Sequence, residues 1–282
     1  MTSADPAPQP EQHDHPVVCC DLDGVIWRGE VAIPGAAAGV TALRDAGLRV
    51  GFFSNNSSLP IDAVVAKLAH CGIDASPGDV LTSATAAAEL LSSTLPTSSR
   101  VLVCGGPGIS EALTAVGLEA VSAAGNGPDT EHYAAVVVGI DRDFGYDALT
   151  RASDVIRGGA RFLATNVDAT YPIPGGFLPG AGAIVAAVAI AAGAVPEIAG
   201  KPYPAAATLV HERFGSHGVM VGDRPSTDGA FADTLGWPFA LVLSGVATRH
   251  PTPGGEPVPE PPPPYVADDL GSLAPLLVST LT

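Results

Sequence analysis

A doubly wound α/β fold, a parallel sheet with helices on both faces, is the architecture this chain's pattern predicts. Two observations point to it: short apolar runs of strand length alternate with helix-length segments, and polar residues able to do chemistry stand directly after several of those runs. In open parallel sheets ligands gather at the carboxyl ends of the strands, so the second observation belongs with the first.

Taken in order, residues 1–16 hold Pro, Gln, Asp and His with little to bury, and read as a disordered arm. Folded structure is expected from Pro16. Val17-Val18-Cys19-Cys20, ended by Asp21, suits a central strand buried on both faces, and a turn with Gly24 follows. Ala36 to Ala46 reads as a helix closed by Gly47, and Leu48 to Phe53 as the next strand. Pro60 opens a helix over Ile61 to Cys71, stopped by Gly72. The alternation continues through apolar runs at Val101 to Cys104, Ala134 to Gly139, Arg161 to Ala164, Gly218 to Val221 and Phe239 to Leu243. Ala181 to Val195 is the longest apolar run; it is Ala-rich and shorter than the roughly 20 residues a membrane span needs, so it predicts a buried helix. Residues 251–264 are dense in Pro and Gly and predict an exposed linker of polyproline character, after which Tyr265 to Leu277 predicts a last strand and helix.

A chain of 282 residues, 46% hydrophobic, with 33 Gly and 27 Pro, is long enough for a large core carrying a second, smaller domain. Its 29 acidic and 13 basic residues give a net charge of −16, which argues against nucleic acid and anionic membranes as partners. Any phosphate site must then be locally positive, built from a metal, a lysine and backbone N–H groups. The four cysteines form no C-x-x-C pair and read as small buried thiols. The amino terminus lacks the basic start and apolar stretch of a secretion signal, so a cytoplasmic location is expected.

Four pieces carry the chemistry. Asp21 and Asp23 lie two apart in an extended segment, so both carboxylates lean to one side and need a cation or a shared proton. Asp223, after the run Val219-Met220-Val221, brings a third carboxylate to a strand end, making an oxygen-rich site suited to magnesium. Asp228, five residues on, either caps a helix or supports the metal through water. Ser54 and the amide of Asn55 end another strand and can grip phosphate oxygens, while Lys201 sits between Gly200 and Pro202 in a loop. Alone, each piece also has a bland reading as a turn or a surface lysine. Together they are what phosphoryl transfer to a carboxylate requires: Asp21 attacks phosphorus, a cation and Lys201 relieve the repulsion, and Asp23 moves the proton.

These residues resemble a known family. Asp21-Leu22-Asp23-Gly24-Val25-Ile26-Trp27, Phe53-Ser54-Asn55-Asn56-Ser57-Ser58, Gly200-Lys201-Pro202 and Gly222-Asp223-Arg224-Pro225-Ser226-Thr227-Asp228 are similar, in order, to the four motifs of haloacid dehalogenase-type phosphatases. The likeness runs through Ala164-Thr165-Asn166-Val167-Asp168, Leu178-Pro179-Gly180-Ala181-Gly182 and Leu243-Ser244-Gly245-Val246, and is nearest to the NagD-like, p-nitrophenylphosphatase branch. The resemblance implies Asp21 as nucleophile, Asp23 as acid/base, and magnesium held by Asp21, the Asp23 carbonyl and Asp223, with Asp228 behind them. It also implies Ser54, Asn55, Asn56 and Lys201 on the phosphate, with Tyr171 of a loop at Asp168 to Phe177 facing the substrate. An α/β cap is implied between the second and third motifs, placed at 85–185, so that 17–84 and 186–282 form the core. The implied partner is a small phosphorylated metabolite such as glycerol 3-phosphate or phosphoglycolate, and a homodimer through the cap is possible in this branch. Pro225 and Gly229 depart from the branch's larger apolar residues. A phosphotransferase or mutase on the same site, or a phosphometabolite-binding protein without catalysis, are the rival readings.

Overall fold

The computed structural model describes residues 16–124, 132–173, 176–249 and 255–282; the predicted amino-terminal arm lies outside them, apart from its last residue. Two parallel sheets organise the chain. The larger has six strands in the order Tyr265–Ala267, Phe239–Val242, Gly218–Gly222, Val17–Cys20, Arg49–Ser54, Val80–Thr82. Every pairing in it is parallel. Val17–Cys20 is buried throughout because it is flanked by a strand on each side and covered on both faces. From it the chain first builds outward through Arg49–Ser54 and Val80–Thr82, then returns to build on the opposite side from Gly218–Gly222. That reversal beside the first strand leaves a crevice at its carboxyl end.

The second sheet, also parallel, has the order Glu197–Ile198, Arg161–Ala164, Ala135–Val138, Arg100–Cys104, Glu119–Ser122. It corrects the boundary expected at 185. The helix Ala181–Ala192 packs on the helix Tyr146–Arg157, and Glu197–Ile198 pairs with Leu163–Ala164, so the insertion runs to Ile198. A two-residue strand carries no apolar run that a sequence pattern can register. At the other end, the helix Ser83–Ser92 leaves the core strand Val80–Thr82 and packs against both Pro107–Ala115 of the insertion and Pro204–Phe214 of the core. Its run of alanines allows both close approaches. One apolar cluster consequently extends from Val17, Cys19 and Phe53 through Ala87 and Leu91 to Val101, Val103 and Ile109.

Two further expectations are corrected. Ala181–Ala192 is not a buried helix: only Ala181, Val185 and Val188 are buried, and Ile190 is 84% exposed. An all-apolar stripe of small residues gives no amphipathic contrast from which to tell its inner face. The proline-rich segment is not a free linker where it is described. Glu256–Pro257 pairs in parallel with Ala247–Thr248, and Pro259, Pro261, Pro263 and Pro264 line a groove with Trp237 and Phe239.

Candidate active site

Residues from four distant places in the chain meet at the carboxyl ends of the central strands. One cavity is lined by Asp21, Asp23, Ser54, Asn55, Asn56, Lys201, Asp223 and Asp228 on the core side. Ile140, Asn166, Asp168, Thr170 and Tyr171 of the insertion line the other side. Asp21 follows Val17–Cys20, and its amide donates to the Val221 carbonyl of the adjoining strand, which fixes where its side chain emerges. Asp223 follows that adjoining strand.

Carboxylate oxygens of Asp21, Asp223 and Asp228 all lie within 4.8 Å of one another, and all three residues are buried. Asp228 therefore stands within the same buried group of carboxylates as Asp21 and Asp223. The cause is local: Pro225–Gly229 winds as a single π-helical turn in which the Thr227, Asp228 and Gly229 amides all point at the Arg224 carbonyl. That wide turn brings the Asp228 carboxylate back over the strand end, where Oδ2 accepts from the Asp223 and Arg224 amides at 3.2 and 3.1 Å. It thus both caps the turn and joins the cluster. The Asp23 side chain stands apart. Its Oδ1 accepts from the Trp27 indole N–H at 3.0 Å, while Lys67 Nζ lies 4.5 Å over the Trp27 ring.

Lys201 is the single lysine that lines the cavity. Its ammonium donates to Asp21 Oδ1 and Asp228 Oδ1, both at 2.7 Å, and to the Phe53 carbonyl at 3.2 Å, which uses all three protons of the group. Burial alone would lower its pKa, but Asp21 and Asp228 reverse that and hold the ammonium charged. Burial raises the Asp21 carboxyl against the pull of Lys201, with Asp228, Asp223 and Asp23 adding to the rise. Burial and then Asp228 push Asp223 up to about 7. Three carboxylates facing one ammonium leave excess negative charge in a buried space, and a divalent cation held by oxygen ligands is what removes it. The surrounding backbone fits that role tightly. A Cβ at Gly24 or at Gly245 would overlap the Asp223 carboxylate, so both positions need glycine for the chain to pass this close and hold the carboxylate in its direction.

Ser54 is buried, and its Oγ accepts from the Asn56 amide at 3.0 Å, leaving its own proton to donate into the cavity. The Asn55 side chain is committed elsewhere: it accepts from the Lys201 amide at 2.8 Å and donates to the Lys201 carbonyl and to Asp168, each at 3.1 Å. Asn56 likewise turns its side chain to the Ser58 amide and hydroxyl. Of this segment, then, the Asn55 and Asn56 side chains build the loop while the Ser54 hydroxyl faces the cavity. Several further residues, given no role by the sequence motifs, build the site. Asn166 donates to the Asn55 carbonyl at 2.7 Å, Ser83 donates to the same oxygen, and Ser57 and Thr165 share a buried hydrogen bond between core and insertion. Arg224 and Thr227 line the cavity, and the Val246 amide holds Asp223 Oδ2. Trp27, Ser57, Thr165, Asn166, Arg224 and Thr227 all lie inside the quoted motifs, which is the signal that could have found them.

Residues 18–119 match the haloacid dehalogenase-like hydrolase family and residues 198–273 its HAD-hydrolase-like companion. A D-glycerol 3-phosphate phosphatase of Mycobacterium tuberculosis is 38% identical over 261 residues, covering 92% of this chain and 71% of that protein. A crystal structure of a glycerol phosphate phosphatase from the same organism in complex with magnesium is 36% identical and superposes with a TM-score of 0.79 over 92% of this chain and 77% of that one. A p-nitrophenyl phosphatase from Archaeoglobus fulgidus, 28% identical, superposes with a TM-score of 0.81 over 94% of this chain and all of the other, 100%. The chain belongs to the haloacid dehalogenase-like hydrolases, in the phosphatase branch of the NagD-like and p-nitrophenyl phosphatases.

Proposed function

We propose that this chain hydrolyses small phosphate monoesters in a magnesium-dependent reaction that passes through a phosphorylated Asp21. The observation behind the reading is the meeting of Asp21, Asp223 and Asp228 with Lys201 in one buried cavity that also holds Asp23 and the Ser54 hydroxyl. Magnesium would be held by the carboxylates of Asp21, Asp223 and Asp228, and the M. tuberculosis relative solved with magnesium supports that choice. Bound there, it would cancel the carboxylates' repulsion for a phosphate dianion and draw charge from the phosphoryl oxygens.

The chain's own residues supply the rest. An Asp21 carboxylate oxygen forms a bond to phosphorus as the ester P–O bond breaks, and Asp23 gives its proton to the departing alkoxide. Burial raises the Asp23 carboxyl, which favours the protonated form that this first half needs. In the second half the Asp23 carboxylate takes a proton from water, whose oxygen attacks phosphorus, and Asp21 leaves as inorganic phosphate forms. Lys201 keeps Asp21 aligned through its 2.7 Å bond and sets its positive charge beside the incoming phosphate. Ser54 donates its hydroxyl to an equatorial oxygen.

The cavity, about 70 Å³ and lined by Thr170 and Tyr171 on the insertion side, suits a compact leaving group. Asp168, Asn166, Arg224 and Thr227 offer both acceptors and donors there, which suits the hydroxyls of a short polyol. Glycerol 3-phosphate is accordingly the first ester to test, ahead of phosphoglycolate and the nucleoside monophosphates. The test is phosphate release from a panel of phosphorylated metabolites with magnesium, run beside Asp21→Asn. Release from glycerol 3-phosphate that Asp21→Asn abolishes is the expected result; an Asp21→Asn chain turning over like the wild type would refute the mechanism.

A further inference from the structure

We infer that Glu256, from the proline-rich strap, is a positioning residue for Asp223 and Asp228, so that the strap sets how tightly the carboxylate cluster binds its cation. The inference deepens the proposed function, resting on its assignment of those carboxylates to magnesium.

The turn that carries Asp228 begins with Pro225, which has no N–H, so Ser226 presents its first main-chain donor. Glu256 meets that donor: Oε2 accepts from the Ser226 amide at 2.9 Å and Oε1 accepts from the Ser226 hydroxyl. A carboxylate gripping both groups at the amino end of a helical turn is well placed electrostatically and fixes the turn's roll about its axis. The turn's other amides converge on the Arg224 carbonyl, bonds that a tilt of the whole turn would preserve, so they do not fix its direction. Asp228 is the fourth residue of this turn, and a tilt there moves its carboxylate away from Asp21 and Lys201.

The main chain of the same residue reaches the second carboxylate. The Glu256 amide donates to the Val246 carbonyl at 3.1 Å, and the Val246 amide donates to Asp223 Oδ2 at 2.5 Å. Ala247, paired with Glu256, donates its amide to the Asp223 carbonyl at 2.9 Å. One strap residue thus connects through its side chain to Asp228 and through its backbone to Asp223. The Pro residues that follow, packed along Trp237 and Phe239, limit the strap's freedom to drift from this position. Glu256 touches neither the cation nor the substrate; it acts through the residues that do.

The test measures magnesium binding to the full chain by titration calorimetry without substrate, together with the metal-free melting temperature, for wild type, Glu256→Ala, Glu256→Gln and Ser226→Ala. Glu256→Ala is expected to weaken magnesium binding roughly tenfold or more, the scale found when a partner behind a metal ligand is lost. Glu256→Gln keeps an acceptor for the Ser226 amide and should recover most of that loss, and Ser226→Ala should lose a smaller part. Glu256→Ala that melts lower yet binds magnesium like the wild type would reduce the residue to strap stability and overturn the inference. Should Glu256→Ala fail to fold, Ser226→Ala decides: weakened magnesium binding supports the inference and unchanged binding overturns it. A wild type that binds magnesium but releases no phosphate from any ester would refute the proposed reaction and leave this inference standing, whereas a wild type without magnesium binding would remove both.

Discussion

Lys201 shows how much of the site is decided by single groups. Buried and surrounded by acceptors, it is the one ammonium against three carboxylates, and removing it leaves those charges unpaired away from water. Lys201→Met should therefore abolish turnover and, at neutral pH without metal, cost about 3 kcal/mol of stability in denaturant titrations. Asp223 gives the opposite lesson. Its folded pKa, about 7, lies above the ordinary 3.8, so its contribution to stability is whole below 3.8 and lost as pH rises through about 7. Across that window the melting temperature of the magnesium-free chain should fall more steeply than that of Asp223→Asn, and magnesium should flatten the wild-type curve. Trp27 orients Asp23 through one hydrogen bond at 3.0 Å, so Trp27→Phe should lower kcat about tenfold with KM little changed. Of these residues, Asp21, Asp223 and Lys201 were legible because each follows an apolar run or sits in a recognisable loop. The position of Asp228 was not, since nothing in a sequence distinguishes a π-helical turn from the first turn of an α-helix.

Elements divide in the same way. Fully buried parallel strands announce themselves as unbroken apolar runs, and Val17–Cys20, Arg100–Cys104 and Ala135–Val138 were all read that way. The short strand Glu197–Ile198 and the exposed face of Ala181–Ala192 were hidden, because their placement depends on partners far along the chain. The loop after Phe239–Val242 depends on backbone proximity that a sequence does not display either. Gly245 lets the chain pass so near Asp223 that Gly245→Ala must displace the carboxylate. The expected outcome is a several-fold rise in the magnesium needed for half-maximal phosphate release. Thiol labelling checks the strand assignments themselves. Cys19, Cys20 and Cys104 are buried and their thiols are pushed up by burial, while Cys71 at a helix end is only partly covered. A thiol reagent should modify Cys71 in the native chain and reach the other three only on unfolding.

At the scale of the molecule, a net charge of −16 surrounds a site meant to receive an anion. The two are compatible because the site's positive groups are local, with Lys201 and Arg224 at the cavity and a cation proposed among the carboxylates. Among the described residues no helix is long and apolar enough to cross a membrane. The insertion shares an apolar cluster with the core and meets it through Ser57–Thr165, Asn55–Asp168 and Asn55–Asn166, so both sheets contribute to one cavity. The central claim, that Asp21 becomes phosphorylated, is tested most directly by arresting the reaction halfway. p-Nitrophenolate leaves without a proton, so Asp23→Asn should still transfer the phosphoryl group from p-nitrophenyl phosphate yet fail to activate the water. With magnesium present, mass spectrometry of acid-quenched Asp23→Asn should find one added phosphoryl group on the peptide bearing Asp21, and none when Asp21→Asn is combined with it. A phosphoryl group on another residue, or one that survives in the double variant, would contradict the account.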